Sequence, residues 1–470
     1  MLTLATFSIP IAGSFLTLAA NRISARVRNG TAVLIVLVTF ACALALIPHA
    51  GQAQPVVLGS SPIPGLNFGF FADGLGVYVA ATSSLVGLLI VLYSLGYMKE
   101  YPHQGEYYFL VILFLGAMMG LVLSANLVLL YIFWEITAIC SWRLIGFHRK
   151  EQHLRNADTA LMVTVFGSLL MLVGFEAIWH EAGTLDLAGL HGHPISNAAL
   201  ALVMLGILAK SAQVPLQIWL PGAGVAPSPV TALLHAAVLV VIGVFAFARI
   251  LVGTIGLSPL GQTAVLILAA ATILITGAAA LVEYDAKRIL AYSTIAQLAY
   301  ILLGLASSTT LSIAGALVFL LAHSLAKAGL FLCVGIIEHR THTKDIRQLG
   351  GLMQRMPVTA VAFVLCALTI VGFPPTAGFF GKFMIVAGTL EGGHIVYAIL
   401  AIVGALITLM YMLRLFTEVF LGEERWPGIG EGSPIMLAVV AAFAGLSLAA
   451  GLAATPLLDL ANGITAQMLR

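Results

Sequence analysis

Lys210, Lys327 and Lys382 each lie inside a long apolar run, Lys287 stands at the mouth of another, and Glu135 is embedded in LYIFWEITAIC. A charge at the centre of a bilayer costs at least roughly 2.5–3.5 kcal/mol, so an ionisable group there marks a function. His235, in VTALLHAAVL, and His323, in LAHSLAKAGLF, sit beside them. These residue types move protons: an imidazole takes and passes them near neutral pH, and a lysine and a carboxylate that meet and part switch between charged and neutral forms. His323 and Lys327, four residues apart, fall one turn apart on one helical face. Glu135 and Lys210 are expected to form such a switchable pair, with His235, His323 and Lys327 as a relay and Lys382 as the terminal carrier. Plainer readings stand beside these. Glu135 could hold a neutral structural hydrogen bond, Lys210 a static ion pair and His235 a satisfied core position. Lys382 could snorkel to an interface, and Lys287, next to Arg288, could be a surface anchor.

The elements that must position these groups are membrane-spanning helices, each needing about 20 apolar residues. Fourteen are expected, at 1–20, 31–49, 74–97, 107–125, 127–147, 157–180, 196–220, 228–250, 262–283, 286–305, 309–337, 357–390, 394–420 and 433–457. The seventh is broken at Pro215 and the twelfth at Pro374 and Pro375, in GFPPTAGFFGK, because proline removes a backbone donor. Broken backbone at membrane depth is tolerated only against protein or a water-filled cavity, the arrangement transporters use in paired halves. The Pro215 and Pro375 breaks are 160 residues apart with five helices between. That spacing predicts one transmembrane domain over 1–470: three helices in 1–106, a five-helix repeat in 107–250, its inverted copy in 262–420 and a last helix at 433–457.

Lysines and arginines support the count. Joins after odd-numbered spans hold Arg22, Arg26 and Arg28, Lys99, Arg149, Lys150 and Arg155, Lys287 and Arg288, Arg340, Lys344, Arg347 and Arg355, and Arg425, whereas Arg249 is the main exception on the other side. The positive-inside rule then puts both termini, including Arg470, outside the cell. The first run lacks a basic n-region and a cleavage site, so it is expected to be a retained helix.

With 61% hydrophobic and 9% charged residues and a mean hydropathy of +1.07, the chain cannot cover itself with a solvated surface. Basic residues are scattered, which excludes a nucleic-acid interface. Cys42, Cys140, Cys333 and Cys366 are too far apart in sequence for a zinc or iron–sulfur motif, and no nucleotide-binding glycine fingerprint occurs. No metal or cofactor is expected.

FWEITAICSWRLIGF, AKSAQVPLQIWLPGAGVAPSPVTALLHAA, DAKRILAYSTIAQLAY, AHSLAKAGLFL, DIRQLGGLMQRMP and GFPPTAGFFGKF resemble, in that order, the antiporter-like subunits of respiratory complex I and the multi-subunit Mrp sodium/proton antiporters. Relatives occur in membrane-bound hydrogenases and formate hydrogenlyases. The resemblance implies a proton path through Glu135, Lys210, His235, His323, Lys327 and Lys382. It also implies membrane partner subunits in a prokaryotic cell membrane. Redox chemistry would lie in those partners, as in a NADH:quinone oxidoreductase-like or hydrogenase-like translocase, with no redox site here. The alternatives are an Mrp-type antiporter subunit, sodium transport being left open, and a non-pumping scaffold for a peripheral enzyme. Gly222 stands where many relatives have Asp, and the lateral helix of the largest complex I subunit is not expected after the fourteenth span.

Overall fold

A computed structural model describes residues 1–50, 56–60 and 67–469, so Arg470 lies outside the described residues. The chain opens with α1 (Leu2–Ala20) and α2 (Ala25–Leu46), followed by an antiparallel pair, β1 (Val56–Ser60) and β2 (Asn67–Phe70). Then come α3 (Gly74–Tyr97), α4 (Gln104–Val122), α5 (Leu127–Ile145), α6 (Glu151–Ala182) and the single turn α7 (Leu187–Leu190). Next are α8 (Asn197–Lys210), α9 (Trp219–Gly222), α10 (Ser228–Ala236), α11 (Val241–Ala246), α12 (Pro259–Val282), α13 (Ala286–Ala306) and α14 (Thr310–Thr341). The last are α15 (Pro357–Val371), α16 (Ala377–Glu391), α17 (Ile395–Phe420), α18 (Pro434–Leu452) and α19 (Ala454–Met468).

Short polar residues at the joins start several of these helices by accepting an otherwise orphaned amide. Ser24, Asp73, Asn126, Ser196, Ser258 and Asp285 do so for α2, α3, α5, α8, α12 and α13. Thr309 and Ser312 form a reciprocal capping box on α14.

Twelve segments among the described residues are long and apolar enough to cross a membrane. The other two expected spans are the broken ones. α8 has 14 residues, about 21 Å of helix at 1.5 Å per residue, short of the roughly 30 Å hydrocarbon core. The seventh span therefore continues through the turn at 211–218 and α9, and the twelfth is split into α15 and α16 across 372–376. Val214–Pro215 and Pro374–Pro375 are cis.

One span departs from expectation. The eighth, read from sequence as a continuous 228–250 helix, stops at Ala236, resumes as α11 and ends in a π-helical segment, Phe247–Val252. No proline causes the interruption. The hydroxyl of Ser83, on α3, donates to the Ala237 carbonyl at 2.6 Å, supplying the partner that a broken helix at this depth requires.

α13 and α14 form the centre of the bundle and are buried along almost their whole length. At the periphery, Phe166, Leu169 and Val173 of α6 and Ile399, Ile402, Leu406 and Leu413 of α17 point outward. Apolar surface on this scale belongs against lipid or neighbouring subunits.

Candidate functional site

The break in the seventh span places Lys210 as the last residue of α8. Its side chain is fully buried. The ammonium donates to the Trp134 carbonyl of α5 at 3.2 Å and lies 5.2 Å from the Trp134 ring centroid. Side chains satisfy the end of the half-helix: Trp219 Nε1 donates to the Ala209 carbonyl at 3.0 Å, and Gln213 Nε2 to the Ser211 carbonyl at 2.8 Å. Glu135 follows Trp134 directly on α5. It is half-buried, with Oε1 buried and without a protein hydrogen-bond partner. No salt bridge within 4.0 Å joins it to Lys210 among the described residues, although its charge acts on that lysine. The expected pair is thus separated.

His235 ends in the last turn of α10, immediately before the unexpected interruption. Both its ring nitrogens are buried without a protein partner, and its ring lies 4.6 Å from that of Phe331 on α14. The interruption leaves the His235 carbonyl free, and His323 Nε2 meets it at 3.3 Å. One turn on, the fully buried Lys327 donates to the Leu290 carbonyl of α13 at 3.1 Å.

Lys382, on α16, reaches back across the second break. It donates to the Ile370 carbonyl at 2.8 Å, in the last turn of α15. The ammonium sits 4.5 Å from the Tyr300 ring centroid on α13 and 5.2 Å from that of Phe319 on α14. Only 6% of the residue is exposed, so it does not snorkel. α13 and α14 thereby carry or contact His235, His323, Lys327 and Lys382, and Gln213, three residues after Lys210, reaches the Ile295 carbonyl of α13 at 3.5 Å.

Lys287 and Arg288 part company. Arg288 is exposed and pairs with Glu283, whereas the Lys287 side chain is 2% exposed. Lys287 contacts Glu338 Oε2 at 2.6 Å and donates to the Ala226 carbonyl at 3.1 Å. The surface-anchor reading belongs to Arg288 alone. Glu338 escaped the sequence reading, although it lies eleven residues beyond Lys327, three turns along the same face of α14.

Two further arginines take partners distant in sequence. Arg249, the exception to the charge asymmetry, is buried in the π-helical segment and grips Asp73 with both guanidinium ends, at 2.5 and 2.6 Å. It borders a cavity of about 440 Å³ also lined by His191, Thr254 and Gln467. Arg414 and Glu418, spaced for an i,i+4 pair, do not make one: Arg414 donates to the Leu281 and Glu283 carbonyls instead.

Residues 124–408 match the family described as NADH:quinone oxidoreductase/Mrp antiporter, TM, and residues 64–108 match NADH-Ubiquinone oxidoreductase (complex I), chain 5 N-terminus. The chain is 34% identical to Na(+)/H(+) antiporter subunit A1 of Staphylococcus haemolyticus, over 88% of this chain and 56% of that protein. It is 33% identical to the subunit A1 of Staphylococcus aureus strain JH9, over 83% and 53%. It therefore spans about half the length of these relatives. Among solved structures, it is similar to a chain of respiratory complex I from Thermus thermophilus with bound NADH, at 27% identity and a TM-score of 0.86, covering all of both chains. A chain of the Mrp complex from Dietzia sp. DQ12-45-1b shares the fold at 24% identity and a TM-score of 0.89, covering 100% of this chain and 97% of that one.

Proposed function

The chain belongs to the NADH:quinone oxidoreductase/Mrp antiporter family, and from that membership and its buried lysines we propose that it is a proton-translocating, antiporter-like subunit of a multi-subunit membrane complex. The observation that carries this reading is the string itself. Lys210, Lys327 and Lys382 are each held by backbone carbonyls, with no carboxylate in contact among the described residues. A static structural lysine at this depth needs a counter-charge; a carrier needs a site it can occupy both charged and neutral. Glu135 supplies the movable counter-charge for Lys210. Approach favours the ammonium, and separation favours release of its proton inward through His235, His323 and Lys327 to Lys382.

The two halves support an inverted repeat over 107–250 and 262–420. A shift of 160 residues carries Pro215 onto Pro375 and Lys210 onto position 370. Ile370 has no charge to offer, but its carbonyl binds the Lys382 ammonium. Each half thus has a buried ammonium beside its broken span.

In this reading the protein resides in the plasma membrane with its basic joins in the cytoplasm, and electron transfer in partner subunits drives the cycle. A second reading, sodium/proton antiport within an Mrp-type assembly, is favoured by the names of the staphylococcal relatives. Mild-detergent purification separates them: flavin, iron–sulfur or nickel subunits accompany the first, small hydrophobic subunits alone the second. Lys210→Ala tests the shared core of both. Loss of proton transport by roughly 100-fold in a complex that still assembles is expected. Unchanged assembly together with unchanged transport would show a scaffold.

A further inference from the structure

The Lys287–Glu338 pair lies at the basic end of the bundle, at the start of α13 and near the end of α14. The two partners differ in access: the Lys287 side chain is 2% exposed and that of Glu338 27%. The Glu338 side chain is thus partly accessible, and the Lys287 side chain behind it is closed off. A chain of hydroxyls converges on the same carboxylate oxygen. Tyr101 donates to Tyr97 at 3.4 Å, Tyr97 and Ser228 share a hydrogen bond at 3.3 Å, and Ser228 donates to Glu338 Oε2 at 3.1 Å. Tyr97 and Ser228 are buried, whereas Tyr101 is part-exposed beside His148, with ring centroids 5.6 Å apart. The chain thus runs from the solvent edge to the ion pair.

We propose that Glu338 is the proton-loading group at the basic end of the path, collecting a proton from solvent and passing it to Lys287. This rests on the proton-translocating reading and adds the port by which that path is filled. A proton from water joins the Glu338 carboxylate, and the ion pair becomes an acid beside an ammonium. Lys287, no longer held by a charge, becomes an amine by giving a proton inward to the imidazole of His235, whose two ring nitrogens have no protein partner and which feels the Lys287 charge. Glu338 then gives its proton to that amine, which restores the ion pair. One proton has left the solvent and one has entered the path. Ser228, Tyr97 and Tyr101 are positioning residues that fix the carboxylate and offer it protons.

The surroundings suit the task. Lys287 from α13 and Lys344 from the join after α14 act on the carboxylate, as Tyr93 and Tyr97 of α3 feel its charge. The ring of His339, next on α14, lies 5.3 Å from that of Tyr97, tilted by 50°. Across the opening stand His148, Lys150 and His153, whose rings and charges interact. Burial and then His153 push the His148 imidazole down to about 4, so at neutral pH it adds no positive charge to repel an incoming proton.

The test uses the assembled complex in sealed vesicles and compares Glu338→Gln, the charge-balanced double variant Lys287→Gln/Glu338→Gln, and Glu338→Asp. Both neutral variants are expected to lower proton transport by roughly 100-fold while Glu338→Asp retains a substantial part. Difference infrared spectra during turnover should lose a carboxylic-acid band in Glu338→Gln, a signal that a merely structural pair would not give. If the single variant does not assemble, the double variant decides, since it leaves no unpaired buried charge. Transport at the parental rate in an assembled neutral variant overturns the proposal, and so does an unchanged infrared spectrum. Lys210→Ala, run in parallel, separates the two levels: transport lost there but normal in the Glu338 variants sinks the port alone, and transport normal in both sinks the pumping reading and the port with it.

Discussion

Single residues here are legible in proportion to how far their surroundings contradict them. A lysine inside a long apolar run is conspicuous, and Lys210, Lys327 and Lys382 were found on that ground; all three are buried. Glu338 was missed because Glu, His and Arg in succession read as the polar end of a helix, and Lys287 was half-hidden by Arg288. Asp73 escaped for a related reason, since its local job explains it: it caps α3 by accepting from the Gly76 amide at 2.9 Å. It also holds the buried Arg249, and substitution can separate the two roles. Asn caps as well as Asp but carries no charge, so Asp73→Asn should preserve the cap and strand the guanidinium. The expected loss is about 3–5 kcal/mol, read as a lower thermal-unfolding midpoint of the purified protein. Replacing both partners, as Asp73→Asn/Arg249→Met, should recover most of that loss. A midpoint unchanged in the single variant would mean that the pair contributes nothing to the fold.

At the scale of elements, breaks made by proline were legible and the break made by tertiary contact was not. Pro215 and Pro374–Pro375 announce lost amide donors in the sequence itself. LLHAAVLVVIG announces nothing, because the interruption after Ala236 is sustained from outside, by Ser83 on α3. The consequence is functional, since that interruption frees the carbonyl which His323 meets. The second broken span shows how tightly such a feature is enclosed. A methyl group on Gly378, at the start of α16, would fall 1.8 Å from the Thr369 carbonyl oxygen of α15, whereas nothing lies within 4 Å of the same group on Gly445. Backbone cannot step aside as a side chain can. Gly378→Ala should therefore force α15 and α16 apart, destabilise the protein by at least about 1–3 kcal/mol and displace Lys382 from Ile370. Gly445→Ala, in the open face of α18, should be neutral or stabilise by up to about 1 kcal/mol. Yield and thermal midpoint of the two variants, measured together, check this; equal behaviour would mean that the twelfth span is looser than described.

For the whole molecule, orientation rests on an asymmetry that the folded chain sharpens. Arg249 counted against it as a charge on the sparse side. Burial in the π-helical segment and its grip on Asp73 remove it from the set of loop charges on which the positive-inside rule operates. Among the remaining basic residues, Arg149 pairs with Glu106, Arg347 with Asp345 and Arg355 with Glu424. Acidic neighbours count little in that rule, so these pairs leave the expected orientation unchanged. Lys150, in the join between α5 and α6, and His193, between α7 and α8, are both exposed and lie at opposite ends of the bundle. Cys140, Cys333 and Cys366 are buried and Cys42 is partly so, which leaves Cys42→Ala as the background for labelling. A membrane-impermeant thiol reagent applied to whole cells should then modify His193→Cys and spare Lys150→Cys, and inverted vesicles should reverse the result. The same experiment fixes the direction of the proton path, because Glu338 and Lys287 share the Lys150 end while Asp73 and Arg249 share the other. Labelling of Lys150→Cys from outside intact cells would turn the port at Glu338 outward, so that protons load from the external medium.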